Sequence, residues 1–340
     1  MLGNFFEDFR IGQKFRHASP RTVTTGDVAL YTALTGSRFA VNSSTAFARM
    51  IGFADAPVDD LLVFHIVFGK TVPDISFNAV ANLGYAELRF GVPVHPGDTL
   101  AAESEVIGLK PTSDGRSGIV WVRSRGINQR GEMVVEFVRW VMVMCRAPGP
   151  RASADAVVPV LAEAVAVQDL IVPALDLRGY DFELAGDTRR WADYAPGMRL
   201  DHVIGTTVED AEHQLATRLY QNTARVHFDA IFAAAGRFGR RLVYGGHVIS
   251  LARAASFNGL ANAFRIAAIN GGRHAAPVMA GDTVYAWTEV LDRLDLPTRT
   301  DLGALRLRTI ATKNQPCADF PPPDHPAVVL DLDYTVLVPR

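Results

Sequence analysis

The sequence predicts an α+β protein built from two copies of one domain, and two observations in the 340-residue chain carry that prediction. The first is an internal repeat, in which short motifs recur about 185 residues further along. The second is that each copy contains one helix that is apolar nearly all round, followed by segments with strand character. A sheet wrapped around a single helix has a free edge. We therefore expect the two copies to lie side by side and share one continuous sheet, as an intramolecular pseudo-dimer.

The repeat is carried by matched residues at a nearly constant spacing. Three matches lie 185 residues apart (197−12, 207−22 and 232−47), namely Gly12 with Gly197, Thr22-Val23 with Thr207-Val208, and Phe47-Ala48 with Phe232-Ala233. Further along, PVHPGDTLAAESEV from Pro93 returns as PVMAGDTVYAWTEV from Pro277, at a spacing of 184 (277−93). Because the offset holds from Gly12 to Val106, the repeat indicates a duplicated domain.

The repeat divides the chain into an N-terminal copy at residues 1–146, a connector at 147–180 and a C-terminal copy at 181–340. The connector is rich in Ala, Val and Pro and carries no aromatic residue before Tyr180. We expect it to cross from one half to the other, with one short helix from Pro159 to Val167 in which the proline occupies the first turn.

The two copies have the same predicted order of elements. In the first copy, a strand at RHASPRTVTT precedes a helix at DVALYTALTG that ends at Gly36, and a loop leads to TAFARMIG and then to the buried helix VDDLLVFHIVFGKTV. The strands predicted after that helix are 82–91, 99–109, 119–128 and 133–144. In the second copy HVISLARAASF is the buried helix, and the predicted strands are 264–270, 283–294, 304–313 and 328–338.

Composition and charge narrow the class of function. The chain is 49% hydrophobic and 21% charged, as expected of a globular protein, and its formal net charge of -2 gives no electrostatic case for nucleic acid or an anionic membrane as partner. The two cysteines, Cys145 and Cys317, belong to no metal-binding or disulfide pattern, so no metal is expected. The N-terminus lacks the apolar core of a signal peptide, and no apolar run has the length of a membrane span. A cytoplasmic location is therefore expected.

The stretch from Leu219 to Gly246, LYQNTARVHFDAIFAAAGRFGRRLVYGG, is where we expect the chemistry. His227 lies in a polar loop, and the Gly245-Gly246 step begins the second buried helix. A histidine near neutrality moves protons, and the free NH groups at the start of a helix stabilise a developing negative charge on oxygen. The alternative, a surface histidine followed by an ordinary turn, stays open on these residues alone.

Three segments carry a resemblance that covers nearly the whole chain: FEDFRIGQKF, VDDLLVFHIVFGKTVPDISFNAVANLGYAELRF and YQNTARVHFD. Through them the chain resembles the double hotdog proteins of the MaoC-like, (R)-specific enoyl-CoA hydratase superfamily. The resemblance implies a double hotdog fold. It also implies reversible addition of water across the double bond of an α,β-unsaturated acyl-CoA thioester that carries a second, free carboxylate. The CoA thioester is then the substrate, and no separate cofactor is implied.

The superfamily motif places an aspartate five residues before a histidine, in a loop that precedes a helix opened by His-Gly. In the second copy, His227 stands at the histidine, Asn222 at the aspartate and Gly246 at the helix glycine. Gly245 replaces the histidine before that glycine, and Arg225 replaces a proline of the loop. In the first copy the matching positions are Ser37 and Asn42, and the helix opens with Asp59-Asp60. The first copy has therefore lost the acid–base pair, and the second is the expected catalytic half.

The resemblance implies a role for each matched residue. The NH of Gly246 would hold the thioester oxygen, with Gly245 beside it, and His227 would exchange the proton of the attacking water. Asn222 cannot transfer a proton at neutral pH, so we expect it to position water. Asp59 or Asp60 is a candidate for the missing acid or for contact with the substrate, if the pseudo-dimer brings the first helix start to the catalytic loop. An ordinary helix cap is the alternative for each.

Arg225 is a candidate to bind the free carboxylate of the substrate through two parallel hydrogen bonds. A solvent-facing arginine, or one that contacts a CoA phosphate, is the alternative. We expect Tyr220, His247, His274 and His65 to be packing or core residues.

Two other functions stay open at this point. One is a hotdog thioesterase that uses Asp59 or Asp60 as nucleophile or base. The other is an acyl-CoA-binding protein without catalysis, for which Asn222, Ser37 and Asn42 are the argument. Association of pseudo-dimers into a homo-oligomer is also left open.

Overall fold

The computed structural model describes residues 3–147, 149 and 156–340. The helices of the N-terminal copy are α1 (Thr25–Thr35), α2 (Ala40–Ser43), α3 (Thr45–Met50) and α4 (Asp60–Thr71), with a π-helical turn at Val72–Ser76. Its strands are β1 (Lys14–Thr22), β2 (Ala79–Phe90), β3 (Thr99–Pro111), β4 (Ser117–Ile127) and β5 (Met133–Met144). The four strands predicted after the buried helix are all present, and their bounds differ from the prediction by at most three residues.

The C-terminal copy repeats this plan. Its helices are α5 (Phe182–Ala185), α6 (Asp210–Leu219), α7 (Ala230–Ala234), α8 (Gly245–Ala255) and α9 (Phe257–Leu260). Its strands are β6 (Arg199–Asp201), β7 (Thr206–Thr207), β8 (Arg265–His274), β9 (Thr283–Asp295), β10 (Leu302–Lys313) and β11 (Val328–Pro339). Single 3-10 turns lie at Val167–Asp169, Leu177–Gly179, Trp191–Asp193 and Arg225–His227. Within the described ranges, no helix is both long and apolar enough to cross a bilayer.

One antiparallel sheet of eleven strands runs through both copies. Its order is β1-β3-β4-β5-β2-β8-β11-β10-β9-β6, and β7 pairs with β9. The halves are joined by β2 and β8, in a register that sets Tyr85 opposite Gly272 and Arg89 opposite Ala268. This pairing covers the free edge of each half. It confirms the predicted continuous sheet and the pseudo-dimer.

The two central helices, α4 and α8, meet in the middle of the molecule. His65 on α4 and Ser250 on α8 are joined by a hydrogen bond of 2.8 Å between Nε2 and Oγ. These residues lie 185 positions apart (250−65), which is the spacing of the repeat, so the contact falls where the two copies face each other. α4 is buried from Leu61 to Thr71, as its apolar pattern predicts.

The duplication is also visible in buried hydrogen bonds. In the first copy His17 Nε2 lies 2.8 Å from Ser104 Oγ, and Ser104 Oγ lies 2.7 Å from Ser124 Oγ. The second copy builds the same chain, with 2.7 Å at each step, from His202, Thr288 and Thr309. A polar chain of this kind is satisfied only if all its members are kept, which explains why both copies retain it.

The connector differs from the prediction, because no helix forms over residues 159–166 and Val167 only begins a 3-10 turn. Its backbone NH groups bond to side chains of the sheet instead: Ala162 donates to Glu87 Oε1 at 2.9 Å, and Val165 donates to Asn270 Oδ1 at 3.0 Å. An NH group committed to the sheet has no need of a carbonyl four residues back, so the segment runs extended across β2 and β8. Residues 148 and 150–155 of the predicted connector lie outside the described residues.

Candidate active site

The loop that follows α6 is shaped by Asn222. Its Oδ1 accepts a hydrogen bond from the NH of Ala224 at 2.9 Å, the turn typical of asparagine, and its NH2 group has no partner among the described residues. The residue before it, Gln221, has a φ of 53°, so the chain turns sharply at the end of α6. The turn leads directly into the 3-10 turn at Arg225–His227. Asn222 therefore holds the loop with its oxygen and keeps two NH donors available.

His227 is held at one ring nitrogen only. Its Nδ1 lies 3.0 Å from the carbonyl oxygen of Leu242, and because a carbonyl only accepts, Nδ1 carries the hydrogen. Burial lowers the pKa of His227 to about 4, and the bond to Leu242 opposes that shift only partly. The imidazole is thus neutral at pH 7, with the lone pair on Nε2. No described residue bonds to Nε2, so this atom is available to accept a proton.

The start of α8 is unusually bare. Its N-cap, Tyr244, makes no side-chain cap, and the NH groups of Gly245 and Gly246 occupy the first two helical positions, where no preceding carbonyl is available. A Cβ atom on Gly245 would lie 2.6 Å from the His274 ring, and one on Gly246 would meet the Tyr244 ring and lie 2.7 Å from His65. Only glycine fits at both positions, and the predicted Gly-Gly helix start is confirmed.

His227 and the helix start lie against each other across Tyr244. The rings of His227 and Tyr244 are 5.7 Å apart between centroids, in an edge-to-face arrangement. On the other side of Gly245, His274 Nε2 lies 3.3 Å from the hydroxyl of Tyr85, which belongs to β2 of the first copy. His274 is half-buried and packs on the helix start, in agreement with the packing role expected for it. Tyr85 was not identified from the sequence, and no local motif marks it.

Residues of the first copy also pack against the start of the candidate catalytic loop, at residues 219–222. A Cβ atom on Gly69 would fall on the carbonyl oxygen of Tyr220, so α4 approaches the loop as closely as backbone allows. Lys70 Nζ donates to Gln221 Oε1 at 3.4 Å, and Arg21 donates to the carbonyl of Leu219. None of these supports was predicted from the sequence, because each contact joins residues about 150 or more positions apart.

The matching place in the first copy is closed. Asn42 Nδ2 donates to the carbonyl of Pro57 at 3.1 Å, as His227 does to Leu242 in the second copy. The carboxylate of Asp59 caps α4 and accepts the NH of Leu61 at 2.9 Å, and Leu61 is the counterpart of Gly246 when the two helix starts are aligned. In this half, the helix NH that corresponds to that of Gly246 is therefore already occupied by a side chain.

Among the described residues, no hydrogen bond or ion pair joins Asp59 or Asp60 to residues 222–227, and the expected approach is limited to an electrostatic interaction of Asp59 with Tyr220. Both lie at the N-terminus of α4, whereas the loop contacts Gly69 near its C-terminus, and a helix of this length spans roughly 18 Å. Asp60 Oδ2 accepts the NH of Ile266 at 3.1 Å and Asp60 Oδ1 lies 3.5 Å from Arg265, at the start of β8. The two carboxylates therefore bond to groups around the N-terminus of α4. We call this region the closed end, and the region around the C-terminus of α4 and the N-terminus of α8 the catalytic end.

Arg225 lies on the rim of the loop with its charge already paired. Its Nη2 is 2.7 Å from Asp229 Oδ2, its guanidinium stacks over the Phe232 ring at 4.4 Å, and 47% of its side chain is exposed. The carboxylate-binding role expected for Arg225 would require this ion pair to open. The spacing of four residues between Arg225 and Asp229 is the sequence signal that points to the pair.

Solved structures share this architecture. The chain matches the crystal structure of a protein from Chloroflexus aurantiacus, described as a MaoC domain dehydratase, with a TM-score of 0.96 and 60% identity, over 99% of this chain and 98% of that one. A conserved hypothetical protein from Mycobacterium tuberculosis with a double hotdog fold matches with a TM-score of 0.81 and 26% identity, over 99% of each chain. The fold and the site thus define the class: a MaoC-like dehydratase with a double hotdog fold.

Within this class, the sequence model of the mesaconyl-CoA hydratase family matches residues 2–319, and the chain belongs to that family. It is 61% identical to β-methylmalyl-CoA dehydratase of Chloroflexus aurantiacus over 344 residues, which cover 99% of this chain and 97% of the relative. It is 58% identical to mesaconyl-CoA hydratase of Cereibacter sphaeroides over 346 residues, which cover 99% and 98%. The chain is therefore an enzyme of the hydro-lyase class, as the resemblance implied.

Proposed function

We propose that this protein catalyses the reversible hydration of mesaconyl-CoA to β-methylmalyl-CoA. The relatives named for these reactions align with nearly the whole chain, which supports the choice of substrate. One observation carries the mechanism: the neutral His227, with Nε2 unengaged, stands beside a helix start whose first NH groups have no acceptor. His227 is the base, and the NH of Gly246 is the donor to the thioester oxygen.

The helix start stabilises the charge that develops as water adds. When water attacks the β-carbon, the electrons of the double bond move through the α-carbon towards the thioester oxygen. The NH groups of Gly245 and Gly246 and the positive end of the α8 dipole favour negative charge at that oxygen. A donor in this role is commonly worth about 100- to 1000-fold in kcat.

His227 handles the proton. Its Nε2 takes a proton from the attacking water as the bond from oxygen to the β-carbon forms, and the resulting imidazolium then gives a proton to the α-carbon and returns to the neutral form. Of the side chains at positions 222–227, His227 is the one that exchanges protons near neutral pH, because Asn222 is an amide and Arg225 keeps its proton. The free NH2 group of Asn222 orients the water.

Incubation of the purified protein with mesaconyl-CoA tests the proposal. We expect β-methylmalyl-CoA with the thioester intact, and the reverse reaction from the product side. Release of free CoA, measured with a thiol reagent, would instead indicate a thioesterase. Binding without turnover would indicate an acyl-CoA-binding protein. Either of these outcomes contradicts the proposed function.

A further inference from the structure

Arg139 is a fully buried cation that lacks a counter-ion. It projects from β5, is 0% exposed, and donates to Thr71 Oγ1 at 2.7 Å and to Ser76 Oγ at 3.2 Å. Its guanidinium stacks over the Phe68 ring at 4.3 Å. Among the described residues no carboxylate pairs with it, and its Nε has no acceptor. An uncompensated buried charge is strongly unfavourable, so its presence here calls for an explanation.

The guanidinium lies at the catalytic end of α4. Phe68, on which it stacks, packs on the ring of Tyr244 at 5.6 Å, and Tyr244 in turn packs on His227. The Tyr244 hydroxyl is buried and has no partner among the described residues. Burial raises the pKa of the Tyr85 and Tyr244 hydroxyls, and the nearby charge of Arg139 opposes that shift in both. Two donors without an acceptor, Arg139 Nε and the Tyr244 hydroxyl, therefore lie on the side of the site that faces the protein core.

At the closed end of the pseudo-dimer, the buried cation has carboxylates near it. Arg139 pairs with Val122 in the sheet as Tyr334 pairs with Leu307, and Val122 and Leu307 are repeat partners, so Tyr334 takes the place of Arg139. A buried cation is present there too, in Arg253 on α8, at the position that corresponds to Phe68. That end, however, contains the carboxylates Asp59 and Asp60, which interact with Arg253. Only the catalytic end, as far as the structure describes it, keeps a buried cation and no anion.

We propose that Arg139 binds the free carboxylate of the substrate and selects dicarboxylic acyl-CoA thioesters. This inference rests on the proposed function, and the geometry of mesaconyl-CoA supports it. Its carboxylate is attached to the β-carbon, on the opposite side of the double bond from the thioester. In this proposal the thioester oxygen lies at Gly246, the β-carbon lies at His227, and the carboxylate extends past Tyr244 towards Arg139. The NH of Arg139 Nε and the Tyr244 hydroxyl are the donors left unused in that region.

Substitution of Arg139 by methionine, which keeps length and removes charge, is the first test. For Arg139→Met we expect a loss of about 30-fold or more in kcat/KM with mesaconyl-CoA, and a change below about threefold with crotonyl-CoA, which has no carboxylate. Arg139→Gln keeps hydrogen-bond donors for Thr71 and Ser76 and should show the same selective loss. Arg125→Met, an exposed change on the neighbouring strand β4, is the matched control. Equal losses on both substrates would overturn the proposal.

Arg225→Met decides between the two arginines. We expect it to change kcat/KM for both substrates alike, because Arg225 is already paired with Asp229. A selective loss with mesaconyl-CoA in Arg225→Met, and none in Arg139→Met, would assign the carboxylate to the rim of the loop and refute the role of Arg139.

Binding of unreactive analogues separates this inference from the proposed function. Succinyl-CoA and butyryl-CoA differ in the terminal carboxylate and undergo no hydration, so their dissociation constants are informative even if the protein turns over neither enoyl thioester. We expect the parent protein to prefer succinyl-CoA and Arg139→Met to lose that preference. If the variants do not fold, a crystal structure of the parent with succinyl-CoA decides the matter. A carboxylate that contacts Arg139 supports the proposal, and one bound elsewhere overturns it.

Discussion

At the scale of single residues, a comparison of His227 with Asn42 separates the structural role of this position in the loop from its chemical role. Each occupies the same place in its copy, and each donates a hydrogen bond to a carbonyl fifteen residues further along, at 3.0 Å and 3.1 Å. Asparagine makes this structural bond as well as histidine does, but it has no group that exchanges a proton near neutral pH. The retention of histidine in one copy alone therefore points to proton transfer.

The variant His227→Ala should lose hydratase activity and keep its fold. We expect kcat to fall about a hundredfold or more, since the general base is removed, and stability to fall by about 1 kcal/mol, since one hydrogen bond is lost. Asn42→Ala removes the matching bond in the first copy and should stay close to the parent in activity. Assay of both folded variants on mesaconyl-CoA checks the prediction, and equal activities in the two would contradict it.

The variant Asn222→Asp should remain active and gain an ionisation. A carboxylate at position 222 still accepts the NH of Ala224, so the turn is kept, and it adds an acid next to His227. We expect kcat within about tenfold of the parent and a further acidic group in its pH dependence. The pH profiles of parent and variant make the comparison. An inert but folded variant would show that the NH2 group is indispensable.

At the scale of elements, α4 and α8 are the same helix in the two copies, but α4 has a side-chain cap at its N-terminus and α8 has none. α4 is capped by the Asp59 carboxylate, which occupies the NH of Leu61, whereas Tyr244 leaves the corresponding NH groups of α8 without a side-chain partner. A cap stabilises a helix by about 1 kcal/mol. The bare start of α8 forgoes that stability, and in the proposed mechanism its NH groups bind the developing oxyanion.

Alanine at the start of α8 should damage the site by displacing backbone. In Gly245→Ala the new Cβ lies 2.6 Å from the His274 ring, and in Gly246→Ala it lies 2.7 Å from His65. We expect a loss of about 1 to 3 kcal/mol in stability and a larger relative loss in kcat than in KM. Gly271→Ala on β8, where nothing lies within 4 Å of the added atom, is the matched control. Unchanged kcat in both helix variants would exclude the helix start from the mechanism.

At the scale of the whole molecule, the N-terminal copy contributes residues to the proposed active site. It contributes α4 beneath the catalytic loop, Tyr85 beside His274, and the support of the loop by Arg21 and Lys70. The first copy has Asn42 at the position of His227, and it packs against the loop that carries His227 in the second copy. This division of labour explains why the duplicated chain keeps both halves and the sheet pairing between β2 and β8.

Acidification should destabilise the protein over a defined window. Burial lowers the pKa of His202, His227, His247 and His274 to about 4, against about 6.5 in an unfolded chain. Between these values the unfolded state binds more protons than the folded state does. The contribution of these histidines to the free energy of unfolding is therefore fully present above about pH 6.5 and is lost as the pH drops towards 4. Each histidine contributes up to about 1.4 kcal/mol per pH unit in that window.

Two buried carboxyl groups act against this trend, and one of them is Asp59, whose pKa is raised by burial. Burial raises the pKa of Asp60 to about 6, so below that pH the folded state gains a proton and offsets one of the four histidines. The net effect is still loss of stability on acidification. Urea unfolding at pH 7.5, 6.5, 5.5 and 4.5 measures it, and a stability that stays constant from pH 6.5 to 4.5 would contradict the predicted burial of the neutral imidazoles.

The sequence by itself determined the duplication, the α+β class, the strands, and the stretch that carries His227 and the start of α8. The duplication, the class and the strands depend on local periodicity or on a repeat spacing, and the choice of the stretch depends on its residue types and on the family resemblance. The ion pair of Arg225 with Asp229 was not predicted, although its partners are only four residues apart.

Only the tertiary structure decided which parts of the first copy meet the catalytic loop. The buried helices pack with the C-terminus of α4 at the N-terminus of α8, which brings Gly69 and Arg139 to the catalytic end and leaves Asp59 and Asp60 at the closed one. Pairing of β2 with β8 then places Tyr85 against His274. Such contacts join residues that are far apart in sequence. They depend on how the halves dock, which no local pattern of residues encodes.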